Sequence, residues 1–204
     1  MQNKDNRPEH VQEFIGKYEE TNPISKYLVD GFYGALESLI PSDVATVLEA
    51  GCGAGYSADR IVPMLKNATY EGSDIGEELI SIAQEKHPNI PFSIESIYDL
   101  QREDNSFDLT LALETLEHLD DPLKALQELK RVSRKYVIIS TPREPLWHAL
   151  NMARLKYVGS LGNTPGHINH WSKRGFQKFA SQEAKVIDVR SPIPWNMILL
   201  SVED

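Results

Sequence analysis

The sequence predicts an α/β fold, a mostly parallel sheet with helices on both faces, on three observations. Strand-like and helix-like segments alternate through the middle of the chain. The first strand-like run, Val44 to Leu48, passes through glycines at alternate positions into a helical pattern from about Tyr56. The last two strand-like segments lie too close for a helical crossover and should pair antiparallel.

The elements follow in order. Met1–His10 is polar and charged, so residues 1–21 are expected to be a separate segment, partly disordered or helical. Asn22-Pro23 supplies an N-cap and first helical position, and Ile24, Tyr27, Leu28, Phe32, Ala35, Leu36 and Leu39 recur at helical spacing until Pro41. Helices are predicted over Tyr56–Lys66 and Glu77–Lys86, the first kinked or shortened by Pro63. Strands are predicted over Thr69–Asp74, Phe92–Glu95, Phe107–Leu113 and Lys135–Ser140. Asp121 and Pro122 open a helix to Val132 with Leu123, Leu126 and Leu129 on one face. Residues 142–171 break the alternation with prolines and glycines around one short helix, Leu146–Tyr157. A helix returns over Ser172–Gln182, and strands close the chain at Lys185–Arg190 and Asn196–Val202.

Composition narrows the function classes. The chain has 204 residues, enough for one domain with a sizeable core, and 21 basic against 30 acidic residues give a net charge of −9. An acidic chain attracts phosphate backbones weakly, so no nucleic-acid partner is expected. No signal-peptide core and no run of 18 apolar residues is visible, so no transmembrane segment and a cytoplasmic location are expected. The single Cys52 cannot form an internal disulfide, which suits a reducing compartment.

Glu49-Ala50-Gly51-Cys52-Gly53-Ala54-Gly55 carries most of the functional signal. A strand running through a glycine turn into a helix brings backbone N–H groups and a helix N-terminus close to a ligand of nucleotide type. A dinucleotide fingerprint needs its third glycine where Tyr56 stands, and Glu49 would repel a pyrophosphate. A ligand with an ammonium group fits better: S-adenosylmethionine has an α-amino group, a sulfonium centre and no phosphate. Asp74 ends the second predicted strand, where a carboxylate can accept both ribose hydroxyls; an NAD enzyme would use the same feature.

These motifs resemble those of the class I S-adenosylmethionine-dependent methyltransferases. Residues 49–55 are similar to that family's first motif, and Asn105-Ser106-Phe107-Asp108 with Leu113-Glu114-Thr115-Leu116-Glu117-His118-Leu119-Asp120-Asp121-Pro122 to its fourth-strand motif. The nearest look is to the small-molecule enzymes that include ubiquinone- and menaquinone-biosynthesis methyltransferases. The resemblance implies a Rossmann-like sheet of seven strands and S-adenosylmethionine as cofactor. It implies cofactor contacts at Glu49, Ala50, Gly51, Gly53, Gly55, Asp74, Ile75, Ser96, Ile97 and Leu113. Ser96 stands where many relatives have an aspartate for the adenine amino group; a hydroxyl accepts more weakly, and Glu95 could substitute. Leu113 would offer its carbonyl to the methionine ammonium.

The expected activity is methyl transfer to an O, N or C nucleophile of a small molecule, with residues 142–171 as a substrate lid inside a 22–204 catalytic domain. His118, His167 and His170 are the candidate bases. His167-x-x-His170 could share one face of a turn, but no Cys or carboxylate cluster accompanies the pair, so no metal site is expected. The alternatives are an NAD-binding oxidoreductase and a non-catalytic cofactor-binding module of the same fold.

Overall fold

The computed structural model describes residues 23–153 and 158–202. The expected 1–21 segment and the last four residues of the predicted 146–157 helix lie outside them. The sheet has seven strands: β1 (Thr46–Ala50), β2 (Thr69–Asp74), β3 (Phe92–Ile94), β4 (Phe107–Leu113), β5 (Ser133–Pro142), β6 (Lys185–Arg190) and β7 (Trp195–Ser201). Their order is β3-β2-β1-β4-β5-β7-β6. All neighbouring pairs are parallel except β5–β7 and β6–β7, so β7 alone runs against the rest.

Helices cover both faces because the central strands bury both of theirs. Every residue of β4 is buried. In β1, Val47 packs on the face covered by α1 (Pro23–Leu39), the short α2 (Ala58–Ile61) and α3 (Glu77–Lys86). Leu48 and Ala50 point the other way, towards α4 (Pro122–Val132) and α6 (Lys173–Ala180). On that second face Leu126, Leu129, Val132 and Phe176 are completely shielded from solvent.

Local chemistry sets the helix ends. The Asp121 carboxylate accepts from the Lys124 backbone N–H at 3.0 Å, and Pro122 follows with its φ already helical. Ser172 caps α6 in the same way through the Gly175 N–H at 3.1 Å. Pro63 has the predicted effect: α2 ends at Ile61 and the chain tightens into a 3₁₀ turn, Val62–Leu65. The first strand starts and ends two residues later than the Val44–Leu48 run suggests. Glu49 belongs to the strand because its side chain is 2% exposed and hydrogen-bonded, so it packs as a core residue does.

The segment after β5 contains α5 (Leu146–Ala153) and a 3₁₀ turn, Val158–Ser160. It is tied to the sheet at both ends. Arg143 N–H donates to Pro194 C=O at 2.9 Å and Glu144 N–H to Trp171 C=O at 3.0 Å. The Ile168 and Asn169 N–H groups both donate to the Glu117 carbonyl, at 2.9 and 3.0 Å. The segment therefore crosses above the carboxyl ends of β4 and β5.

Candidate functional site

The strand order reverses between β1 and β4, and the crevice over their carboxyl ends is where open α/β sheets bind ligands. The glycine turn leaves β1 at this point. Gly51 and Cys52 donate their N–H groups to the Ser73 carbonyl of β2 at 2.7 and 3.0 Å. A Cβ on Gly51 would sit 2.6 Å from Thr115 Oγ1, and one on Gly55 would sit 3.0 Å from the Ala83 Cβ. Those two glycines let the turn pack against the β4 exit and α3. Gly53 has φ +54°, and its N–H donates to Asp74 Oδ2 at 2.9 Å.

Asp74 sits at the end of β2, with Oδ1 accepting from the Gly76 N–H at 2.8 Å. Two backbone donors thus fix the carboxylate, and each oxygen keeps a lone pair for a hydroxyl. Beside it the Ile75 side chain is 75% exposed, an apolar surface at a position suited to a planar base. Across the crevice Ile97 is 9% exposed, and Ser96 Oγ accepts from the Tyr98 N–H at 3.2 Å. Glu95 pairs with Arg102 at 3.0 Å, which directs its carboxylate to that guanidinium. The Leu113 carbonyl, at the end of β4, accepts from Thr115 Oγ1 at 3.1 Å.

Glu49 lies beneath the turn. Its Oε2 accepts from Ser57 Oγ at 2.7 Å and from the Tyr70 hydroxyl. Burial pushes its carboxyl up to about 7, against the lowering effect of those two hydroxyls and with the Asp74 charge adding to the rise. Through Oε2 the side chain supports the turn from inside. Ala50, fully buried, packs on the opposite face of the sheet.

Two carboxyls at the β4 exit complete the site. Glu114, which the sequence reading did not single out, has φ +55° and accepts from Ser140 Oγ at 2.8 Å. Burial drives its carboxyl well above the ordinary range. Glu117 is 1% exposed, with Oε2 buried and lacking a hydrogen bond; burial, reinforced by the Glu114 charge, drives its carboxyl up as well. The available signal was two glutamates three residues apart directly after the apolar run Leu111-Ala112-Leu113, a place where carboxyls with shifted pKa values gather.

The three histidines do not form one group. His118 Nδ1 lies 2.9 Å from the Gly166 carbonyl, and its ring stands edge-on to His167 with centroids 4.9 Å apart. His167 in turn stacks near Trp147, centroids 6.0 Å apart. A ligand atom from each of Glu117, His118 and His167 falls within 4.8 Å of the others. His170 belongs instead with Glu144 and His148. The fold supplies the carboxylates that the 167–170 spacing does not reveal.

Residues 48–139 match a family model described as a methyltransferase domain. These residues are similar to the class I S-adenosylmethionine-dependent methyltransferases. A ubiquinone biosynthesis O-methyltransferase of Paracidovorax citrulli is 32% identical over 163 residues, 76% of this chain and 64% of that protein. A protein of the same name from Xanthomonas oryzae is 28% identical over 57% of this chain and 52% of its own length, so the chain spans about half the length of such relatives. Among solved structures, an S-adenosylmethionine-dependent methyltransferase from Aquifex aeolicus superposes with a TM-score of 0.71 at 20% identity, covering 96% of this chain and 98% of that one. Magnesium protoporphyrin IX methyltransferase from Synechocystis, with bound S-adenosylhomocysteine, gives 0.67 at 18% identity and covers 94% of each chain. These structures share the methyltransferase sheet, and this family's cofactor is S-adenosylmethionine.

The pre-positioned Asp74 carboxylate and the exposed Ile75 are chemically suited to the ribose and adenine of that cofactor. Asp74→Ala should weaken S-adenosylhomocysteine binding by about 1.5–3 kcal/mol, the range for hydrogen bonds to a charged group. Calorimetry showing unchanged affinity in a folded variant would remove Asp74 from the ribose role.

Proposed function

We propose that this methyltransferase transfers a methyl group from S-adenosylmethionine to an O, N or C nucleophile of a small molecule. The observation that carries the reading is the pairing of the Gly51–Gly55 turn with a fixed Asp74 carboxylate at the β1–β4 switch point. The ubiquinone-biosynthesis names of the curated relatives support a small acceptor. Among the described residues no helix is long and apolar enough to cross a membrane, and the one cysteine is a free, buried thiol. Both suit our placement of the protein in the cytoplasm.

When bound, the cofactor supplies an electrophilic methyl on its sulfonium. The protein's part is chiefly alignment and exclusion of water. The 142–171 segment meets the β4 exit through the Ile168 and Asn169 N–H bonds to the Glu117 carbonyl, and its Trp147 lies 6.1 Å from Trp195 of β7, centroid to centroid. We assign this segment, within a 22–204 catalytic domain, to the acceptor pocket. Where the nucleophile must lose a proton, an imidazole of the His118–His167 pair takes it, with the Glu117 carboxyl alongside. His170 lies outside that pair, so of the three candidates it is the least suited to this step.

Two measurements test the reading. Scanning fluorimetry with S-adenosylhomocysteine and with NAD should show stabilisation by the first alone; stabilisation by NAD alone would turn the assignment to an oxidoreductase. His167→Ala should lower methyl transfer at least tenfold while cofactor affinity stays within a factor of about two, since the His167 ring packs on His118 and Trp147. Unchanged turnover in that variant would take the base role from His167.

A further inference from the structure

Glu144, His148 and His170 come from three places. Glu144 follows β5, His148 lies one turn further on in α5, and His170 arrives from the far end of the segment, just before α6. Their polar atoms converge: Glu144 Oε1 is 3.2 Å from His148 Nε2 and 3.7 Å from His170 Nδ1. The ligand atoms of all three residues fall within 4.8 Å of one another. The two imidazole rings lie with centroids 5.2 Å apart.

This geometry has the dimensions of a metal site. A tetrahedral zinc ion with ligand bonds of about 2.0–2.2 Å holds its ligand atoms about 3.4 Å apart. The two measured separations bracket that value. The Glu144 side chain is only 10% exposed, and both its Oε1 and His148 Nε2 are buried without a hydrogen-bond partner. Groups of that kind are normally satisfied in a native structure, and here they aim at a common point. The other carboxylate oxygen, Oε2, is occupied: it accepts from the His148 backbone N–H at 3.3 Å. Oε1 is therefore oriented towards the imidazoles by the helix itself.

We propose that Glu144, His148 and His170 bind one divalent transition-metal ion, zinc in type, that clasps the two ends of the 143–171 segment. Two imidazoles with one carboxylate favour zinc and its transition-metal neighbours over magnesium or calcium, which prefer oxygen-only shells. Three protein ligands leave at least one coordination position for water or a ligand. The clasp is separate from the Glu117–His118–His167 group, and its existence does not depend on which acceptor the enzyme uses.

The test is Zn²⁺ titration of the metal-free full chain against a chromophoric chelator, repeated with Co²⁺ for its visible spectrum. Wild type should take up one equivalent at this site. His148→Ala and His170→Ala should each weaken that uptake at least tenfold and abolish the Co²⁺ bands, with the far-UV spectrum of the metal-free protein unchanged. His167→Ala should retain the site. Thermal midpoint should rise with Zn²⁺ in wild type and in His167→Ala, and not in His148→Ala/His170→Ala. The proposal is overturned if wild type binds no Zn²⁺, if the double variant binds as wild type does, or if Mg²⁺ competes on equal terms. S-adenosylhomocysteine affinity, measured alongside, reports separately on the methyltransferase reading.

Discussion

Gly53→Val should abolish S-adenosylmethionine binding and leave the chain folded. Gly53 has φ +54°, in the left-handed region where a branched side chain is strained by roughly 1–2 kcal/mol. Valine would also displace the N–H that holds Asp74 Oδ2 at 2.9 Å, so the turn and the carboxylate proposed for the ribose are disturbed together. The new side chain projects from the turn we assign to the cofactor. The sheet itself does not depend on this residue, which lies beyond the last residue of β1. Calorimetry should detect no binding, and circular dichroism should show an unchanged fold. Binding at wild-type strength would mean that another loop holds the cofactor.

The second large effect is on stability against pH. The Glu49 carboxyl is raised by burial from its ordinary value of 4.5 to about 7. Between those two values the folded state holds the proton more tightly than the unfolded chain does. Glu49's contribution is therefore fully present below about pH 4.5 and is lost as pH rises through about 7. A shift of that size corresponds to about 3 kcal/mol. Glutamine does not titrate and can still accept from Ser57 and Tyr70. Relative to wild type, Glu49→Gln should gain about 2.5 kcal/mol on going from pH 5 to pH 8, read as urea unfolding free energies. A difference that stays constant with pH would show that Glu49 has an ordinary carboxyl.

Much of the fold is legible in the sequence because its signals are local. The alternation of strands and helices, the Asp121-Pro122 start of α4 and the interruption at Pro63 each depend on a few adjacent residues. The glycine turn is legible for the same reason. The roles of the glycines are less so: Gly51 makes room for Thr115 and Gly55 for Ala83, contacts that only the assembled sheet creates. Glu49 illustrates the same limit. A carboxylate next to a glycine turn reads as ligand-facing, and nothing local announces that Tyr70 and Ser57 hold its Oε2.

The least legible parts depend on long-range approach. Nothing local distinguishes Glu114 from other glutamates; its left-handed backbone and its bond to Ser140 come from the parallel pairing of β4 with β5. His167 and His170 look like a pair by spacing. The chain around them separates the rings, one towards His118 and Trp147, the other towards Glu144 and His148.

The central claim is methyl transfer to a small molecule, and one measurement addresses it directly. The enzyme is incubated with methyl-deuterated S-adenosylmethionine and a metabolite extract, and the products are followed by mass spectrometry with Gly53→Val as control. The account predicts a small molecule that gains the labelled methyl with wild type and fails to gain it with the variant. Label that appears only in protein or nucleic acid, or in nothing at all while S-adenosylhomocysteine still binds, would contradict it.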